Sequence, residues 1–225
     1  MFRNISMWVS SFRYDPLGTL IEIVFMIIAL FLSLILHEIG HGLVALKCGD
    51  PTAKMLGRLS LDPRKHLDPI GMICMFFLGI GWAKPVPINP YNFKNKNRDM
   101  ILVSFAGIFV NIILFLISTF LYVLCYKWNG IIVSNLQKFL VILLSYNISL
   151  AVFNLVPVPP LDGYRLANRI FFKGDLDRRL TPQMMQMIHF AFLFLCLSGV
   201  LSTAFSRVCS FFMQNAAAMF AKILF

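Results

Sequence analysis

Charge is what this sequence has least of. Charged residues make up 13 % of its 225 positions, and only 10 residues are acidic. Soluble domains carry about twice that charged share. Hydrophobic residues reach 59 % and mean hydropathy is +0.78, so the chain cannot cover a water-facing surface and reads as an integral membrane protein. Paired cysteines are also missing. Cys48, Cys74, Cys125, Cys196 and Cys209 form no C-x-x-C pair and no even framework, and they read as free thiols. There is no internal repeat and no low-complexity tract. Nor is there a single basic face: the net charge of +10 is spread over short loops between apolar runs, which excludes a nucleic-acid partner and fits positive-inside topology.

What the chain has instead is long apolar runs, at about 17–46, 70–82, 100–126, 131–156 and 184–212. A spanning helix needs roughly 20 apolar residues, and the run at 70–82 falls short. It reads as a re-entrant or bundle-covered element, since irregular backbone at membrane depth must be covered by protein or a water-filled cavity. The expected fold is an all-α polytopic membrane protein, a bundle of about five or six transmembrane helices with a short re-entrant or extended element. Residues 1–16 are an N-terminal segment, 17–213 the membrane domain and 214–225 a C-terminal tail. The first run is too long for the core of a cleaved signal, and no small-residue site closes it. Most basic residues lie in 47–65, 84–98 and 165–179, whereas the turn at 127–138 holds only Lys127 and Lys138. If 70–82 does not cross, all three basic loops share one face, which the Lys/Arg rule assigns to the cytoplasm.

Against this scarcity of charge, residues 32–50 read LSLILHEIGHGLVALKCGD. His37 and His41 are four apart, so on a helix they project from one face, where two imidazoles can grip one metal ion, with Glu38 beside them. Ionisable residues inside an apolar helix are energetically expensive, so the cluster calls for a function. A buried polar cluster or an ion-pathway site remains the other reading. From His41 to Lys47 is about 9 Å of helix rise, which puts the group near the basic, cytoplasmic side. A catalytic zinc takes three protein ligands and keeps one position open. Among the few acidic residues, Asp162 stands out at the close of NLVPVPPLDG, 154–163, where three prolines prevent regular helix. Taken alone, Asp162-Gly163 fits a surface turn equally well.

HEIGH at 37–41 together with NLVPVPPLDG at 154–163 resembles the site-2 protease family of intramembrane zinc metalloproteases. GRLSLDPRKHLDPIGMI (57–73), GWAKPVPINP (81–90) and AGIFVN (106–111) resemble its compact prokaryotic branch, and the similarity runs from about residue 30 to 170. The resemblance implies that His37, His41 and Asp162 ligate one Zn2+ per chain, that Glu38 is the catalytic acid/base, and that Asn154 lies near the scissile carbonyl. Residues 17–213 would then form the metalloprotease domain. No inserted PDZ-like or CBS segment is seen, so regulation through such modules is not implied.

The implied function is hydrolysis of peptide bonds within or near transmembrane segments. The resemblance further implies a transmembrane protein as substrate, membrane lipid as the surrounding partner and the cell membrane as the place, with the active site expected near its cytoplasmic side. The alternative is a non-hydrolytic membrane protein that binds zinc or carries ions through the same residues. A structural zinc site would close its fourth position, commonly with Cys or His; Cys48 lies about two turns past His41, at the interface. His66, in RKHLDP, is expected to make a structural hydrogen bond, and His189 to be a satisfied interior histidine. Gly107 and Asn111, four apart, are expected on one face of the third run, with packing as their default role.

Overall fold

The structure, a computed structural model, describes residues 5–66, 68, 71 and 83–225. The short run expected at 70–82 lies outside these residues apart from Gly71. Regular structure among the described residues is helical, and three of the longer helices start at capping side chains, Asp15, Asn95 and Thr181.

Helix α1 spans Ile5–Tyr14. Asp15 then caps α2, Pro16–Lys47, accepting 2.9 Å from the Gly18 N–H, and Pro16 fills the first turn, where a missing N–H costs nothing. At 32 residues α2 is about 48 Å long, more than the roughly 30 Å hydrocarbon layer needs. It is followed by the short α3, Thr52–Met55. Helix α4, Lys96–Leu124, opens with reciprocal caps: the Asn95 side chain accepts from the Arg98 N–H at 3.1 Å and Asp99 accepts from the Asn95 N–H at 2.9 Å. Helices α5 (Ile131–Asn154), α6 (Asp162–Phe172), α7 (Leu176–Arg179), α8 (Pro182–Leu197) and α9 (Ser202–Leu224) complete the described chain.

By length and composition, α2, α4 with its terminal turn, and α5 can cross a membrane; α8 is apolar but only 16 residues long. The apolar run read from sequence at 184–212 is two helices. A turn with Gly199 at φ 76° separates α8 from α9, which runs on through the expected tail to Leu224.

Helix α4 is the hub and packs on α2, α5, α6 and α9. On one side Phe115, Leu144, Ile148 and Cys209 close the α4–α5–α9 contact. Near the basic loops, Ala45, Cys48, Phe93, Met100 and Val103 pack α2 against α4. Lipid offers no less apolar surroundings than a neighbouring helix, so close approach and interhelical hydrogen bonds hold such a bundle. The bond from Asn147 Nδ2 to Ser33 Oγ, 2.9 Å between α5 and α2, is one.

Candidate metal centre

The i, i+4 spacing of His37 and His41 does what helical geometry requires. Both side chains leave α2 on one face, both residues are 5 % exposed, and their Nε2 atoms lie 3.1 Å apart. Asp162 arrives from the first position of α6, its Oδ2 3.1 Å from His37 Nε2 and 3.0 Å from His41 Nε2. Local sequence explains its arrival. Pro157, Pro159 and Pro160 keep the chain after α5 out of helix. Gly163 then lets α6 begin directly against the end of α5: a Cβ there would lie 2.5 Å from the Leu155 carbonyl group and from the Val156 oxygen. A bulkier residue would push the turn, and Asp162 with it, away from the histidines.

The donor set suits a zinc ion. His41 Nδ1 lies 2.7 Å from the Val103 carbonyl oxygen. A carbonyl can only accept, so Nδ1 carries a proton, which leaves Nε2 as the atom that can bind a metal on the side of His37 and Asp162. Orientation of a ligating histidine by a backbone carbonyl is the usual outer support of a metal site. Asp162 Oδ2 has no hydrogen-bond donor. With a carboxylate oxygen 3.0–3.1 Å from both Nε2 atoms, the three atoms converge as ligands of one cation do. Ligand atoms about 2.0–2.1 Å from a tetrahedral zinc are about 3.3 Å apart, close to what these three atoms show. Among the described residues, the group of metal-type ligands contains these three members, the number a catalytic site uses.

Gly107 of α4 closes one side. A Cβ at this position would come within 2.5 Å of His41 Nε2 and 2.7 Å of His37 Nε2, so only glycine lets α4 pass the two rings. The proximity, and not packing alone, accounts for this residue. Glu38, half-buried beside His37, accepts a 2.7 Å hydrogen bond at Oε2 from the Val86 N–H. Val86 belongs to the extended stretch 84–89, which the prolines at 85 and 87 keep out of helix.

Val86 also lines a cavity of about 770 Å³ bounded by Pro87, Pro159, Tyr164 and His189. His37, His41 and Asp162 do not line the cavity; Val86 connects it to the site through its bond to Glu38. His189, expected in the interior, is a half-buried wall of this cavity, its ring stacked on Phe190. His66 makes the structural bond expected of it, with Nε2 2.7 Å from the Ser60 oxygen, and its carbonyl accepts from the Lys84 N–H at 2.8 Å. Tyr164 donates to Asp177 at 3.1 Å; burial and that carboxylate push its hydroxyl up to about 12. Asn154 ends α5 with its Nδ2 donating 3.0 Å to the Leu150 oxygen of its own helix, and no described contact joins it to the His–Asp group.

Sequence reasoning missed Asp50. Fully buried after α2, it accepts from the Thr52 N–H (3.1 Å), Thr52 Oγ1 (2.5 Å), the Asn89 N–H (2.7 Å) and Asn92 Nδ2 (2.8 Å). It thereby anchors the stretch that carries Val86. In sequence it is only an aspartate before a proline, and no local pattern distinguishes it from a turn.

The model of Peptidase family M50 matches residues 123–198. The chain is 39 % identical over 187 residues to "Putative zinc metalloprotease YwhC" of Bacillus subtilis (strain 168), a match over 81 % of this chain and 84 % of that protein. It is 31 % identical over 187 residues to "Putative zinc metalloprotease Rip2" of Mycobacterium tuberculosis (strain ATCC 25618 / H37Rv), over 78 % and 68 % of the two chains. No solved structure matches it. Identity of 39 % sustained across about four-fifths of both chains goes beyond a shared motif, and the chain belongs to peptidase family M50, the site-2 protease family of zinc metalloproteases.

Proposed function

We propose that this protein cuts transmembrane segments of other membrane proteins, with His37, His41 and Asp162 holding one Zn2+ and Glu38 acting as acid/base. The observation that carries the reading is the meeting of three ligand atoms from α2 and α6, 3.0–3.1 Å apart, with a carboxylate on the next residue of α2. Bound there, zinc supplies a Lewis acid that polarises the scissile carbonyl and makes water a competent nucleophile near neutral pH. Glu38 takes the water's proton and passes it to the leaving amine. The Val86 N–H fixes one Glu38 oxygen and so the direction in which the carboxylate faces. Val103 does the same for the His41 ring. Asn154 is assigned the carbonyl-facing role on the family pattern. One of its two amide hydrogens is held by the Leu150 oxygen, which leaves the other for that role.

A transmembrane helix hides its carbonyls in internal hydrogen bonds, so a substrate must unwind before attack. Segments with Gly, Pro or Asn near the cut are preferred for that reason. The extended stretch 84–89 and its 770 Å³ cavity support docking of the unwound piece beside Val86 by strand addition. Residues 17–213 form the protease domain, embedded in the lipid of the cell membrane. The concentration of Lys and Arg in the loops at 47–65, 84–98 and 165–179 supports a cytoplasmic-side site.

The test is cleavage of tagged single-span segments by the detergent-purified protein, wild type against Glu38→Gln, with zinc measured on both. Cutting by wild type alone, with equal zinc, is the expected result. Equal cutting by both would remove Glu38 from the mechanism, and zinc-free, well-folded protein would remove the metal site.

A further inference from the structure

Helices α2 and α4 run antiparallel past the metal centre in a fixed register. His41 meets the Val103 carbonyl, and Gly107, four residues on along α4, lies against both the His41 ring and the His37 ring one turn back on α2. By helical spacing alone, one further turn in the same direction brings Ser33 of α2 and Asn111 of α4 to a similar level, away from the loops at 47–65 and 84–98. Asn111 is fully buried, and neither its Nδ2 nor its Oδ1 has a hydrogen-bond partner. From α5, the fully buried Asn147 reaches the same level through its 2.9 Å bond to Ser33 Oγ, and its Oδ1 is unpartnered too. On the other side of Gly107, three residues earlier on the same face of α4, Ser104 Oγ is buried without a partner.

Apolar packing does not explain two polar side chains left unpaired along one face of α4 beside a metal centre, with a third, Asn147 of α5, unpartnered at Oδ1. Buried amides are satisfied almost without exception, and where protein offers no partner an internal water does so, typically with about three hydrogen bonds. An Asn side chain offers such a water both a donor and an acceptor.

We propose that Asn111, with Asn147 and Ser33, holds internal water directly beneath the His37–His41–Asp162 group and that this water replenishes the one consumed in each hydrolysis. In that reaction the water oxygen joins the carbonyl carbon, the C–N bond breaks, and the water's two protons end on the new carboxyl group and the leaving amine. The use of the water rests on the metalloprotease reading; its presence does not. Asn111 is a positioning residue here, since it acts through water.

The experiment is water-edited magic-angle-spinning NMR on the full, zinc-loaded chain in lipid bilayers, labelled with nitrogen-15. Side-chain amides of Asn111 and Asn147 are expected to receive water magnetisation nearly as fast as exposed Asn95 and much faster than the backbone of fully buried Ile108. Build-up as slow as that of Ile108 overturns the proposal. Asn111→Leu should slow transfer to Asn147 and lower kcat on a tagged single-span segment about 10- to 100-fold with KM little changed, as loss of outer support does. Asn111→Ser, which keeps a polar atom and leaves room for water, should hold both within about threefold of wild type. Undiminished kcat in the Leu variant, or equal loss in the Ser variant, sinks the catalytic role. If the Leu variant does not fold, wild type and the Ser variant still decide. A wild type wet at Asn111 that cuts nothing upholds the water site and counts against the protease reading instead.

Discussion

The backbone N–H of Val86 donates a 2.7 Å hydrogen bond to Oε2 of Glu38. One bond thus joins the acid/base candidate on α2 to the extended stretch that lines the neighbouring cavity. A peptide docking along that stretch would sense the carboxylate through Val86, and a displaced stretch would release it.

Substitution of Glu38 by Gln keeps the size of the side chain and the bond from Val86 but removes the basic oxygen. Zinc content should stay at the wild-type level while the cleavage rate falls about 10²- to 10⁴-fold, the span of a general acid/base contribution. Metal analysis and single-turnover cleavage on one preparation check both.

Gly107→Ala should strike the metal and not the fold. Its Cβ would fall 2.5 Å from His41 Nε2, and the flexible element in that contact is the imidazole. Zinc affinity is expected to drop about 10- to 100-fold, as for other disturbances of ligand orientation. Competition with a chelator of known affinity measures it. Unchanged affinity would argue against a close approach of α4 to the two rings.

Gly163→Ala acts through backbone. The added methyl meets the Leu155 carbonyl group and the Val156 oxygen at 2.5 Å, neither of which is the end of a flexible chain. Overpacking of this kind costs about 1–3 kcal/mol. Asp162 moves with the turn, so thermal stability and zinc content should fall together.

Acid should loosen the stretch carrying Val86. Burial alone would raise the pKa of Asp50, but hydrogen bonds from Thr52, Asn89 and Asn92 outweigh it and hold the carboxyl below its ordinary value. A folded pKa below the unfolded one gives stability that is fully present above the unfolded value, about 3.9, and is lost as pH falls through the folded value. After correction for intrinsic rates, amide exchange at Asn89 and Thr52 should be slow at about pH 6 and accelerate below about pH 4. Asp50→Ala, which strands the Asn89 and Asn92 donors, should remove that pH dependence and cost about 1–3 kcal/mol.

Zinc removal by a chelator should abolish cleavage and lower the melting temperature, and added zinc should restore both. Binding to the folded state alone stabilises by about 2.7 kcal/mol at a free zinc concentration a hundredfold above Kd. A melting temperature indifferent to zinc would argue against a site built by α2 and α6 together.

Much of this molecule is determined by local sequence. Apolar runs mark α2, α4 and α5 because spanning a bilayer is a matter of length and hydropathy. The pairing of His37 with His41 follows from helical periodicity, and three prolines between 157 and 160 forbid α5 from continuing. Even so, the apolar run at 184–212 reads as one element and folds as two, because one glycine turn weighs little in a hydropathy average. What tertiary structure alone decides are contacts between residues distant in sequence. Asp162 reaches the histidines only because Gly163 lets α6 start on the end of α5. Val86 finds Glu38 across 48 positions because Asp50 ties down the chain around it. The unpaired amide of Asn111 could not be anticipated from AGIFVN, since whether a buried polar group has a partner depends on every helix packed around it and on none of its sequence neighbours.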